Sequence, residues 1–388
     1  MRLPPRVCIL SVVRPARDVR TFHREARSLA RSGWEVTVIG RDPGPAATVD
    51  GVRIVPLPAA HGPGRVVVQA RALRLALATH ADVHHLTDVE LLPAALLLRR
   101  AGRTVIYDCI EDYPAYMELK AWIPAQLRPV ARRTVAAVER LVAPRLDAVL
   151  TADDGTAARL RAWGANVAVV HNFPARDEFR PPPPGMPRPI DVVYHGSLPA
   201  YHLTAMAEIA RALAAHVPGA RWRIVGAPDS GTAKRAFAAA LARAGLSERV
   251  RLSGRVPFPA VKELLAGART GVVPLPDVAK FRVNVPMKLF EYLAAGVAAV
   301  ASDLPGTRAL LAGSDAAILV PPGDHDAFAD ALADLLRDPA RAAALARRGR
   351  AAVEERFHWE REERTLLRVY AALPCRAGVR RVAEEMVA

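Results

Sequence analysis

Lys288 and Glu291 stand three residues apart in NVPMKLFEYLAAGVAAVASDLPG, residues 284–306, just behind Pro286. A proline, an apolar-periodic run and a closing Gly296 predict a short helix that feeds straight into an apolar strand. The start of such a helix gathers unpaired backbone N–H groups and a positive dipole end, and Lys288 adds a full charge, so the spot is built to hold an anion. Glu291 follows on the same turn. A carboxylate there would repel a phosphate, so it serves a neutral polyol instead. A phosphate beside a hydroxylated ring points to a nucleotide.

The chain that must position these groups has 388 residues, enough for two domains of similar size. A 51% hydrophobic fraction and a mean hydropathy of +0.10 allow well-filled cores. No apolar run reaches the roughly 20 residues of a membrane span, and the start, MRLPPRVCILSVV, lacks the pattern of a cleaved leader. These features read as a soluble cytoplasmic protein. Cys8, Cys109 and Cys375 are scattered without metal-ligand spacing and read as buried thiols. The net charge is +15, but 49 of the 54 basic residues are arginine, which with the abundant alanine looks like the codon bias of a GC-rich genome. The chain shows no helix-turn-helix signature, Cys/His finger, aromatic RNA-binding strand or dense lysine run, so nucleic acid is not an expected partner.

From Arg6 onward, short β-branched runs alternate with longer amphipathic segments, the pattern of parallel sheets covered by helices. Residues 7–13 read as a strand, 18–33 as a helix closed by Gly33, and 35–40 as the next strand. That helix carries Phe22, Ala26, Leu29 and Ala30 on one face and Arg20, Arg24, Arg27 and Arg31 on others. The beat sets a first doubly wound domain over 1–171. Prolines over 172–189 read as an extended, stiff linker. A second alternating series occupies 190–356, and 357–388 is a final helix and tail that can return to the first domain.

Several motifs then carry a family likeness: YHGSL at 194–198, WRIVGAP at 222–228, RVRLSGRVPFPAVKELLAGARTGVVPL at 249–275 and PMKLFEYLAAG at 286–296 with ASDLPG behind it. The first half agrees through residues 20–40, DVELLP at 88–93 and YDCIEDYP at 107–114. The chain resembles the retaining glycosyltransferases of family 4, also called glycosyltransferase group 1. The resemblance implies a GT-B fold, α/β, with two Rossmann-like doubly wound domains facing each other across a cleft. It implies transfer of a sugar from a UDP or GDP donor to a small-molecule or lipid-linked acceptor, in natural-product or glycan biosynthesis, with no metal or other cofactor. Two other readings stay open: a sugar-nucleotide epimerase of the same fold, and a catalytically silent sugar-nucleotide binder.

By the same resemblance, Glu291 binds the donor ribose and Lys288 approaches the diphosphate, with Leu289 beside them. Gly196 and Ser197 form the phosphate-facing loop, while Gly226, Arg255 and Val256 border the base. Relatives carry a sugar-touching glutamate where this chain has Asn284, histidines where it has Thr87 and Ile110 in the sugar or acceptor pocket, and a basic residue where it has His202. Asp88 and Glu111, with Glu90, Asp108 and Asp112 nearby, keep carboxylates at the expected cleft face, and Asp88 and Glu111 are the catalytic candidates there. His84 and His85, adjacent on a strand, point to opposite faces and cannot chelate one ion together. Asp324, at the head of a helix, reads as its N-cap. The segment 121–146 mixes apolar residues with five arginines, and the expectation is a packed surface helix, with membrane docking the alternative.

Overall fold

The computed structural model describes residues 4–60, 62, 64–183 and 185–374, so Cys375 and the tail beyond it lie outside the described residues. The chain divides into two compact units. The first holds residues up to Asn172 together with the chain from Glu360, and the second runs continuously from Phe173 to Trp359.

The first unit is built on eight strands: β1 (Arg6–Pro15), β2 (Glu35–Arg41), β3 (Ala47–Val49), β4 (Val52–Leu57), β5 (Val83–Leu86), β6 (Thr104–Cys109), β7 (Ala148–Thr151) and β8 (Val167–Val169). Their order is β3-β4-β2-β1-β5-β6-β7-β8, parallel except for the β3–β4 pair. The order reverses between β1 and β5, so the loops leaving these two strands diverge and open a crevice at their carboxyl ends. The central strands β1, β2, β5, β6 and β7 are buried on both faces, which is why they read as unbroken apolar runs rather than as alternation.

The expected 18–33 helix is observed over 19–31, its first eight residues wound as a wider π turn. Asp18 caps it, accepting hydrogen bonds from the Arg20 and Thr21 amides. Arg20 and Arg24 are buried, although their spacing had put them off the apolar face. Arg20 can be inside because it forks onto Asp108 at 2.7 and 2.8 Å, donates to the Val170 carbonyl at 2.7 Å and lies 3.1 Å from Glu25. Isolated, such a cation would be prohibitively costly to bury.

The Trp359–Ala372 helix returns to this unit. Its Tyr370 hydroxyl lies 2.8 Å from His85 Nδ1 and its ring packs edge-on against Trp34. Its Glu362 accepts the His171 amide at 2.8 Å.

The second unit has six parallel strands: β9 (Ile190–His195), β10 (Trp222–Val225), β11 (Val250–Ser253), β12 (Ala268–Val273), β13 (Ala298–Ser302) and β14 (Ile318–Val320). Their order, β11-β10-β9-β12-β13-β14, is that of a dinucleotide-binding sheet, with the reversal between β9 and β12. Here the proline-rich segment behaves differently from a free connector. Phe173 and Phe179 are buried, and Phe173 meets Phe290 and Phe357 with ring centroids 4.6 and 5.4 Å away. Turns bend the segment, with the Glu178 amide donating to the Ala175 carbonyl and the Met186 amide to that of Pro183, and the phenylalanines anchor it to its own unit.

His171 gives the first unit a pH dependence. Burial opposes its charge, but hydrogen bonds to Asp154 and Glu362 and the charge of both carboxylates outweigh burial and raise it from 6.5 to about 9. A raised folded value means stabilisation that is complete below pH 6.5 and lost as pH climbs through about 9. Urea melts between these pH values should show stability falling with pH in the native chain and a flatter profile in His171→Gln; parallel profiles would refute the linkage.

Candidate active site

The crevice of the second unit begins where β9 ends. The Gly196 carbonyl lies so near β10 that a Cβ on Gly226 would stand 2.0 Å from it, so position 226 admits no side chain. Gly226 therefore answers first to a backbone neighbour within the protein. On the other side of the same loop, a Cβ on Gly196 would meet Lys288 Cε at 3.3 Å and Nζ at 3.7 Å. The ammonium thus rests against bare backbone, 4.8 Å above the Tyr194 ring.

Lys288 rides on the Met287–Ala294 helix, whose start is capped by no side chain. The opposite end is closed, since Arg350 donates to the Ala294 carbonyl at 2.9 Å and Arg188 to that of Gly296 at 2.8 Å. Cations fill the negative pole and the positive pole faces the crevice mouth. Phe290 holds the back of the helix against Phe173 and Phe357. Tyr292 crosses β12 where Gly271 leaves room, as a Cβ there would come within 2.5 Å of its ring. The Tyr292 hydroxyl accepts the His195 amide at 3.3 Å, fixing the helix to the end of β9.

Glu291 is buried at 2% exposure, and its Oε2 lies 3.1 Å from His195 Nε2. His195 was not singled out in the sequence; only the fold brings residue 195 to residue 291. Leu289, on the same helix, points into the core with no exposed surface, so its side chain offers nothing to a ligand. Asn284 closes the preceding Ala279–Val283 helix through its amide and is half-buried. Arg255 and Val256 lie on the loop after β11, Arg255 exposed and Val256 half-buried.

His202 does not do what a basic residue would. It is buried, with Nδ1 2.7 Å from the Tyr194 hydroxyl and 3.2 Å from the Ser197 carbonyl. Burial, then the charge of Lys288, push it down to about 3, so it is a neutral brace under the 196–198 loop. The Tyr194 hydroxyl donates to the same Ser197 carbonyl at 2.8 Å. Ser197 itself is exposed on the loop.

In the first unit, the predicted carboxylates divide by task. Asp88 is buried and accepts the Val12 and Val13 amides at 2.6 and 3.0 Å, which shapes the loop leaving β1. Glu111 lies 3.9 Å from Arg14. Thr87 is fully buried with its hydroxyl donating to the Leu10 carbonyl at 3.1 Å, and Ile110 is buried too. Thr87 therefore secures β5 to β1 and presents no hydroxyl to a ligand. Glu25, His85 and Asp108 bring ligand atoms within 4.8 Å of one another, yet Arg20 already occupies Asp108 with two hydrogen bonds, and burial and the nearby Asp108 charge push the Glu25 carboxyl well above its ordinary range, so the group is an ion pair beside a carboxyl that favours its neutral form. His84 and His85 are both buried, and burial is the main cause pushing each down to about 4. Asp324 caps its helix as expected, accepting the Ala327 amide at 2.9 Å.

Two doubly wound units, one carrying a cation and a buried carboxylate on a helix at its switch point, define a GT-B enzyme. The chain belongs to the group 1 glycosyltransferases: the model "Glycosyl transferases group 1" matches residues 189–338 and "Glycosyl transferase 4-like domain" matches residues 19–175. The D-inositol 3-phosphate glycosyltransferase of Mycolicibacterium paratuberculosis is 31% identical over 256 residues, 61% of this chain and 55% of the relative. The phosphatidyl-myo-inositol mannosyltransferase of Mycolicibacterium smegmatis is 42% identical over 82 residues, 21% of each chain. These matches therefore span about half and about one fifth of the relatives' lengths. Among solved structures, sucrose-phosphate synthase from Thermosynechococcus elongatus shares the fold with a TM-score of 0.77 at 19% identity, over 94% of this chain and 98% of the other. HepE of Anabaena, in complex with UDP and glucose, does so with a TM-score of 0.74 at 16% identity, over 95% and 100%.

Desolvation, with Lys280 adding like charge and Glu291 opposing, lowers Lys288 from 10.5 to about 8. The chain has only five lysines, so their methylated amines can be followed separately by NMR. One resonance should titrate with a midpoint near 8 and vanish in Lys288→Arg; if no signal does both, the ammonium is not desolvated as the geometry requires.

Proposed function

We propose that this glycosyltransferase takes a nucleoside-diphosphate sugar, with UDP or GDP as the nucleotide, and transfers the sugar with retention of anomeric configuration to a small-molecule or lipid-linked acceptor. The observation that carries the reading is Lys288, held against Gly196 at the uncapped start of a helix, one turn from buried Glu291. The relatives named above support the acceptor class, since one is named for an inositol phosphate and the other for a phosphatidylinositol. Support for the donor comes from HepE, whose complexes hold UDP and UDP-glucose.

In this reading the bond between the anomeric carbon and the diphosphate oxygen breaks as the acceptor hydroxyl attacks that carbon. Its proton passes to the departing phosphate, which serves as the base. Negative charge accumulates on the leaving diphosphate, where Lys288 and the first-turn amides meet it. They take the load that a divalent cation bears elsewhere, so turnover is expected to continue in EDTA. Glu291 accepts hydrogen bonds from the ribose hydroxyls, and His195 holds the carboxylate ready for them.

The test is calorimetric titration of UDP and GDP. Lys288→Ala should weaken diphosphate binding by about 1.5–3 kcal/mol, the usual loss for a charge-assisted hydrogen bond, and Glu291→Ala should weaken the nucleoside as well as the nucleotide. Affinities unchanged in both variants would remove the assignment. Incubation with labelled donors sorts the remaining readings, because an epimerase returns altered donor and a silent binder returns it intact.

A further inference from the structure

Three helices cover one face of the eight-stranded sheet: Gly64–Ala78, Leu92–Arg100 and Arg128–Val142. Their inward residues, among them Val68, Leu98 and Val142, share one core with Leu10 and Tyr107 of the sheet. Nearly all the large apolar side chains that the described residues leave in solvent sit in this same layer. Trp122 is 73% exposed, Val130 57% and Leu141 54%, with Val66 and Val67 on the neighbouring helix at 68% and 71%.

The Arg128–Val142 helix is apolar on two sides. Its inner stripe, Val135, Val138 and Val142, packs into the core. A second stripe runs along the outside at positions 127, 130, 134, 137 and 141, Leu, Val, Thr, Ala and Leu, all exposed. Steps of three and four keep these residues on one face of a helix. Arg133 and Arg140 line an edge of that stripe, both exposed and in no ion pair among the described residues. The single acid on the helix, Glu139, faces inward, where it accepts hydrogen bonds from the Tyr107 hydroxyl and Arg159. The Gly64–Ala78 helix carries three arginines and no acid.

We propose that this helical layer docks on an anionic lipid bilayer, with the outer stripe at acyl-chain depth and Trp122 and the arginines at the level of the headgroups. Charge decides the occupant. A second copy of the chain would set arginine against arginine with no exposed carboxylate on the helix to receive either, whereas a bilayer surface offers phosphates wherever an arginine lies. Exposed tryptophan beside flanking arginines also suits the headgroup boundary, where an indole has an apolar body buried and its N–H in reach of water. The inference is independent of the donor reading, since it concerns a surface of the first unit alone.

The test is co-sedimentation of the full chain with vesicles of phosphatidylcholine, with and without about 30 mol% phosphatidylglycerol, at about 0.05 and 0.5 M salt. Binding should require the anionic lipid and weaken in salt. Arg133→Ala with Arg140→Ala should lower the partition coefficient about 30-fold, from roughly one kcal/mol per lost cation. Val130→Glu with Leu141→Glu should abolish it. All four sites are exposed, so circular dichroism and UDP affinity should match those of the parent protein. Equal binding to both vesicle types, no binding, or binding indifferent to either pair of changes would overturn the proposal. So would a dimer at sedimentation equilibrium that Leu141→Glu disperses, which would give the face to a second copy.

Discussion

Everything at the candidate site follows from one backbone approach, the Gly196 carbonyl filling the space where residue 226 would carry a Cβ. Two strand ends are drawn together there, and the loop after β9 turns its bare backbone toward the Met287–Ala294 helix. Lys288 can lie on that backbone because no side chain intervenes. Tyr194, Tyr292 and neutral His202 then brace the loop from beneath through hydrogen bonds to Ser197 and His195. A cation set against glycine and a tyrosine face is poorly hydrated, which is why its proton is held weakly and why an arriving anion would be met by a charge with few waters to shed.

The two units treat charge in opposite ways. In the first, Arg20 is surrounded by Asp108, Glu25 and the Val170 carbonyl, and the cluster is closed over by the C-terminal helix through Tyr370. Its charges are matched internally and contribute to the unit's architecture. In the second, Lys288 and Glu291 are left at the edge of a crevice with incomplete partners. Much of the arginine excess also has a local task, since Arg188, Arg350 and Arg356 each donate to carbonyls near helix ends. Composition alone assigned that excess to codon bias.

The alternation of strands and helices was legible because parallel strands are apolar throughout, and the Lys288–Glu291 helix because proline, charge and glycine mark its start, face and end. Tertiary partners were not. His195 meets Glu291 from 96 positions away in the sequence, and nothing local marks the contact. Arg20 recurs with Arg24, Arg27 and Arg31 at a spacing that usually means a solvated face, yet the π winding and Asp108 turn it inward. Thr87 and His202 were read by their place in a motif, while their roles are set by what lies beneath them, Leu10 for one and Tyr194 for the other. The proline-rich segment shows the same limit, because prolines announce extension but neither the turns that bend it nor the pocket that receives Phe173.

The second unit is an uninterrupted stretch of chain, whereas the first is assembled from both ends of the sequence. On the ribosome this separates the two in time. All of the second unit has been synthesised once Trp359 is added, but the Glu362 carboxylate that receives His171 and the Tyr370 hydroxyl that meets His85 arrive only after it. The eight-stranded sheet must therefore wait, with Arg20, Asp108 and His85 uncovered by their final helix, while the unit that interrupts it is made.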